Sequence, residues 1–257
     1  MTRVATDEKG GQTFEEGDEI SVYAWTGDAT VAPETRERVV NNAINKLTNG
    51  SWVSTPQMLW KNNRDKHYFI GVYPISAISD LSAGEYAFDE TKQVESDLLV
   101  AVNKDGLSYN VDEQQPVPLT FTHVMAKLVV NLTYKNQWGG IPTVEKVVVG
   151  NAAKEATINY LTKVVTPSTT AKEDFSLPEI TENTKYVSVI IPQEDVKQLT
   201  IVIGGKNFVY DNGTPFKLES GKITTVNLEV GRDEIKLGDV KITDWENGST
   251  FSGEALN

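Results

Sequence analysis

The chain contains no cysteine, which removes disulfides, thiolate metal sites and a cysteine nucleophile together. Its only two histidines, His67 and His123, stand far apart in sequence, so a histidine-rich metal site has nothing to be built from. No apolar run approaches the ~18 residues that span a bilayer. Neither a Gly-Lys-Ser/Thr phosphate loop nor a Gly-x-Ser-x-Gly nucleophile elbow can be found. Basic residues are few: 24 against 36 acidic ones, for a net charge of −12. That field repels phosphate backbones and anionic lipid surfaces, and so argues against nucleic-acid and peripheral membrane partners.

What is present is material for a β-rich core. Hydrophobic residues make up 39% of the 257, and charged residues 23%, which suits one large β-domain or two of ordinary size. Period-2 patterning with β-branched and aromatic residues predicts strands at "EISVYAW" (19–25), "HYFIGVYP" (67–74), "SDLLVAVN" (96–103) and "VEKVVVGN" (144–151). It continues at "KYVSVIIP" (185–192), "QLTIVIGG" (198–205), "KNFVYD" (206–211), "GKITTVNLEV" (221–230) and "DEIKLGDVKITDW" (233–245). "KNFVYDNGTPFKL" reads as a hairpin, because Asn212-Gly213 can take the positive φ of a tight turn. Short strands punctuated by turns, without alternating long helices, predict an all-β sandwich architecture.

Two places break the alternation. In "PLTFTHVMAKLVVNLTY" (118–134), Leu119, Phe121 and Met125 are odd, whereas Leu128, Val130, Leu132 and Tyr134 are even. One strand cannot bury both sets, so a bulge or turn is expected near His123–Lys127. Gly238 marks a similar switch between Ile235/Leu237 and Val240/Ile242. In "PETRERVVNNAINKLTNG" (33–50), Val39, Val40, Ala43, Ile44 and Leu47 follow helical spacing, while three asparagines and an Asn-Gly suit a hairpin. Both readings stand. "YKNQWGGIPTVEKV" (134–147), with Gly139-Gly140 and Pro142, is the best linker and predicts β-domains at 1–137 and 138–257.

No catalytic constellation emerges, and the chain reads as a non-enzyme without cofactor or metal. His67, after the charged "KNNRDK", reads as solvated; His123, on the apolar face at the parity switch, reads as buried and bonded to backbone. "NKDG" (103–106) is similar to part of a calcium loop, but lacks the first acidic ligand and the closing glutamate. The pairs Glu15/Glu16, Asp89/Glu90, Glu173/Asp174 and Asp233/Glu234 read as solvated charges at strand ends rather than a glycosidase couple. Asn-x-Ser/Thr triplets at Asn49, Asn131, Asn212 and Asn247 are expected in a chain this rich in Asn and Thr. The five tryptophans (Trp25, Trp52, Trp60, Trp138, Trp245) could platform a sugar, but, scattered one per region, they read as packing.

Three signatures together resemble the fimbrillin family, subunits of the protease-assembled (type V) pili of Bacteroides-like anaerobes. They are "TRVATDEKGGQTFEEGDEISVYAW"; "MLWKNNRDKHYFIGVYP" with "DLLVA" and "VPLTFTHVMAKLVVNL"; and "FKLESGKITTVNLEV" running into "IKLGDVKITDW". Their order and spacing cover residues 2–248, with 31–50 and 152–182 matching least. The resemblance implies two tandem transthyretin-like β-sandwiches and a precursor exported to the cell surface and outer membrane as a lipoprotein. An arginine-specific protease would cut after Arg3, making Val4 the new N-terminus. The lipidated cysteine and a strand before Arg3 do not stand in this sequence, so export and anchoring are what the resemblance implies. It also turns 36–55 toward extended structure.

Removing a first strand would leave unpaired N–H and C=O groups beside apolar side chains, an edge that templates strand addition. A neighbour's C-terminal segment would fill it. Ile235, Leu237, Val240, Ile242 and Trp245 are the candidate donor residues, and their alternation equally suits an ordinary last strand. Phe251 is the only strong anchor in the tail "ENGSTFSGEALN", so a tip, accessory or non-polymerising member stays open beside a stalk subunit. The expected partners are other pilus subunits, the processing protease, and a host surface or glycan. The alternative is a non-polymerising surface lipoprotein that binds glycan or host protein; a β-sandwich hydrolase ranks last.

Overall fold

The computed structural model describes residues 5–6, 12–109, 116–211, 213–245 and 250–254. The fold is all-β. In chain order the strands are β1 (Ala5–Thr6), β2 (Gln12–Thr13), β3 (Glu19–Thr26), β4 (Arg38–Thr48), β5 (Ser51–Thr55), β6 (His67–Tyr73), β7 (Gly84–Ala87) and β8 (Leu99–Leu107). Then come β9 (Pro116–Thr120), β10 (Thr122–His123), β11 (Ala126–Tyr134), β12 (Val144–Ala153), β13 (Glu155–Asn159), β14 (Val164–Pro167) and β15 (Lys172–Ser176). The last are β16 (Glu179–Thr181), β17 (Lys185–Ile190), β18 (Gln198–Ile203), β19 (Lys206–Asp211), β20 (Lys222–Val230), β21 (Ile235–Asp244) and β22 (Thr250–Glu254).

A six-stranded antiparallel sheet, ordered β10-β8-β6-β3-β4-β5, dominates the first half. Its central strand β3 is buried on both faces, as a run of β-branched and aromatic residues without alternating polar ones requires. Ile20, Val22 and Ala24 share one core with Phe69, Leu99, Ala101, Val117, Leu119 and Phe121. Tyr23 and Trp25 point the other way, into a larger core with Ile78, Leu81, Ile158 and Tyr160. The Tyr23 hydroxyl is satisfied there, accepting from the Ile78 N–H at 2.9 Å. In the second half a five-stranded sheet, β16-β17-β11-β20-β21, and a four-stranded sheet, β15-β12-β18-β19, send side chains into that same larger core.

The parity switch at 123–127 is real. β9 and β10 carry Leu119, Phe121 and His123 along the first half; the chain then turns at Val124–Met125 and enters β11, which lies between β17 and β20. The expected division at 137/138 is therefore crossed by strand pairing. β11 pairs with strands of the second half, and β13 pairs in return with β7 of the first. Gly139-Gly140 is a turn after the short 3₁₀ segment Asn136–Trp138, with φ of 68° and 153°, and not a flexible border.

Segment 33–50 is a 3₁₀ turn at Thr35–Glu37 followed by β4, which returns through Asn49-Gly50 to β5. The helical spacing has a physical origin. Asn42, with φ of 58°, sits at a register shift between Ala24↔Val40 and Val22↔Ala43, so the buried positions step from Val40 to Ala43. The expected hairpin over 206–218 is corrected. β19 folds back on β18 through Gly204-Gly205, at φ of 58° and 72°, and Leu218 bridges Gln193 instead. Two adjacent glycines supply a tighter turn for the same strand than Asn212-Gly213, and they win.

The layer bearing β9 lies hard against the central sheet. A Cβ added at Gly71 in β6 would stand 2.6 Å from the Phe121 ring and 3.1 Å from Leu119. Gly71→Val is expected to lower stability by about 1–3 kcal/mol through overpacking. In urea titration the midpoint should fall with the slope unchanged.

Candidate functional site

β9 reads "PVPLT", and its prolines give its two edges different capacities. N–H groups of successive strand residues point to opposite edges, so Pro116 and Pro118 leave one edge nearly without donors. Val117 and Leu119 donate toward the other. β22 lies on that second edge, with Val117 opposite Gly253 and Leu119 opposite Phe251 as the hydrogen-bonded pairs. Among the described residues β9 pairs with no other strand. Its side chains hold it in place instead: Val117 and Leu119 are buried against the six-stranded sheet. Beside them Phe14 meets the rings of Trp52, Tyr73 and Phe121 edge-on, with centroids 5.2, 5.6 and 5.2 Å away.

The root of the C-terminal segment is fixed nearby. Trp245 follows β21, its N–H donating to the Gly221 carbonyl at 3.0 Å. Its indole is buried and stacked on His123, with centroids 3.7 Å apart and planes 11° from parallel. His123 Nδ1 lies 2.8 Å from Asp97 Oδ1, in full burial. Lys127 Nζ lies 5.0 Å from the centre of the indole, and desolvation holds its pKa below the usual lysine value. Among the described residues, His123 Nε2 and Trp245 Nε1 have no hydrogen-bond partner. His123 is thus buried as expected, but bonds a carboxylate 26 residues away rather than backbone.

His67 corrects a second expectation, being 1% exposed rather than solvated. Its Nε2 accepts from the Lys61 N–H at 3.0 Å, so the neutral ring carries its proton on Nδ1, 3.1 Å from the Asp65 carbonyl. Burial lowers its pKa.

Arg3 and Val4 lie outside the described residues, as do Asn212 and Asn247. Ile235, Leu237, Val240 and Ile242 all sit in β21, which pairs with β20 along its length around a bulge opposite Asn227, where Gly238 marks the parity change. Ile235 and Leu237 pack on the core; Val240 and Ile242 are each 39% exposed. The described residues hold no cluster of three or more possible metal ligands. Of the five tryptophans, Trp25 and Trp245 are buried and the rest half-buried. No described helix is long and apolar enough to cross a membrane.

The model of the fimbrillin-like family matches residues 2–245. The chain belongs to the fimbrillin-like family. Its members are structural pilus subunits rather than enzymes. Among solved structures, a candidate cell adhesion protein of Bacteroides uniformis superposes with a TM-score of 0.70 at 20% identity, covering 92% of this chain and 95% of that one. One from Bacteroides ovatus gives 0.65 at 18%, covering 90% and 88%. The tip fimbrial protein Mfa3 of Porphyromonas gingivalis, truncated at its C-terminus, gives 0.55 at 12%, covering 95% and 97%. At these identities the likeness is one of fold. A comparison with curated protein sequences found no match.

Two outcomes follow from these contacts. Trp245→Ala, which empties a buried ring site, should cost about 3–5 kcal/mol in denaturant unfolding. For His67 the folded pKa is depressed, so the unfolded chain binds the extra proton. Stability is present above the unfolded pKa near 6.5 and is lost as pH falls through and below it. The stability gap between the wild type and His67→Gln should therefore narrow from pH 7 to pH 5, read by chemical denaturation at each pH.

Proposed function

We propose that this chain is a subunit of a cell-surface fimbria that joins like subunits by strand exchange and serves in assembly and adhesion. The observation that carries the reading is β9: its side chains are anchored, while its donor-rich edge takes a strand from the far end of the sequence. Backbone bonds regained by an incoming strand contribute ~0.5–1.5 kcal/mol each. Buried apolar area adds ~25 cal/mol per Å². In this reading the precursor reaches the outer membrane as a lipoprotein, and an arginine-specific protease cuts between Arg3 and Val4 to open the slot. The architecture is then two tandem transthyretin-like sandwiches whose division lies near Phe121–Val124, ahead of β11, rather than at 137.

The segment after Trp245 is better supported as the donated piece than β21. The strand with Ile235, Leu237, Val240 and Ile242 is committed to β20, whereas residues 250–254 pair only with β9. A second reading, the non-polymerising surface lipoprotein that binds glycan or host protein, is favoured by one fact: β9's edge is already paired within the chain. Arginine-specific protease added to the full precursor distinguishes them. Cleavage followed by SDS-resistant ladders is the expected result. A cleaved protein that stays monomeric at every concentration would support the second reading.

A further inference from the structure

We infer that the subunit caps itself: residues 250–254 hold the donor-rich edge of β9 within the same chain, and a neighbour's strand takes that edge only after they leave. The inference rests on the strand-exchange reading and adds a competition to it. Three observations carry it. First, Pro116 and Pro118 remove two of the three donors on one edge of β9, so an incoming strand finds its full set of backbone partners only on the edge that β22 holds. Second, β22 occupies that edge in register over five residue pairs, from Thr250↔Thr120 to Glu254↔Pro116.

Third, the tail is rooted next to its own acceptor. His123, on which Trp245 stacks, follows Thr120 by three residues. From Trp245 five residues reach Thr250, and five extended residues span at most ~18 Å. A short tether of this kind gives an effective concentration on the order of millimolar, far above that of a free subunit. Dilute subunits therefore stay closed, and exchange waits on an event that releases the tail or raises the local concentration of neighbours.

The absence of cysteine gives a clean test. Thr120 is exposed and stands opposite Thr250 in a non-hydrogen-bonded pair, a spacing that accommodates a disulfide. The double variant Thr120→Cys/Thr250→Cys of the full chain is purified, its fold checked by circular dichroism, and oxidised over a wide range of concentration. Thr120→Cys/Ser252→Cys, two residue pairs out of register, serves as the control. The expected product is a fast-migrating monomer on non-reducing gels, in a proportion independent of concentration and larger than in the control. Linked dimers and ladders without the monomeric product would overturn self-capping while leaving strand exchange standing. Equal closure in both variants, or no linkage at all, would show that β22 does not sit on β9, and would also overturn it; the protease experiment then still decides strand exchange on its own.

Discussion

The structure turns on the fate of one strand's backbone. A β-edge in water is tolerated when short, charged or covered, and becomes a docking template when it is apolar and carries free N–H groups. β9 divides these properties between its two sides. Its prolines strip one edge of most donors, its buried Val117 and Leu119 fix it to the central sheet, and the remaining edge presents the N–H groups that a partner strand needs. The other edges of the fold are managed differently. β21, the last strand of the five-stranded sheet, carries Lys236, Asp239, Lys241 and Asp244, with a bulge at its middle, and pairs firmly on one side.

The two halves do not act as independent bodies around this site. β11 leaves the first half to lie at the centre of the second half's sheet, and β13 returns to pair with β7. The stack of Trp245 on His123, with Asp97 behind the imidazole, closes the seam where the chain passes from β10 toward β11. Rooting the tail there places it beside β9 by covalent reach.

Much of this was legible in the residues. The alternating strands at 19–25, 67–74, 185–192 and 221–230 were readable because each buries one face over most of its length. The break near His123–Lys127 followed from counting parity. Legibility failed where a local rule had a competitor. Asn42 adopts a left-handed conformation that shifts parity by one, and the resulting spacing imitates a helix. Asn212-Gly213 competes as the turn for β19 because "QLTIVIGG" by itself reads as a strand that ends at Gly204-Gly205. Pairings distant in sequence, such as Asp97 with His123 or β9 with β22, leave no local trace. The meaning of "PVPLT" as a one-sided strand needs the partner's position before the prolines can be interpreted.

The central claim is that β9 is complete only when a separable strand lies on one edge. Amide hydrogen exchange at Val117 and Leu119 tests it most directly, comparing the full chain with one ending at Trp245. The account expects both amides to be protected in the full chain and to exchange freely after truncation, while Ile20, Val22 and Phe69 keep their protection. Equal protection of Val117 and Leu119 in the two chains would contradict it.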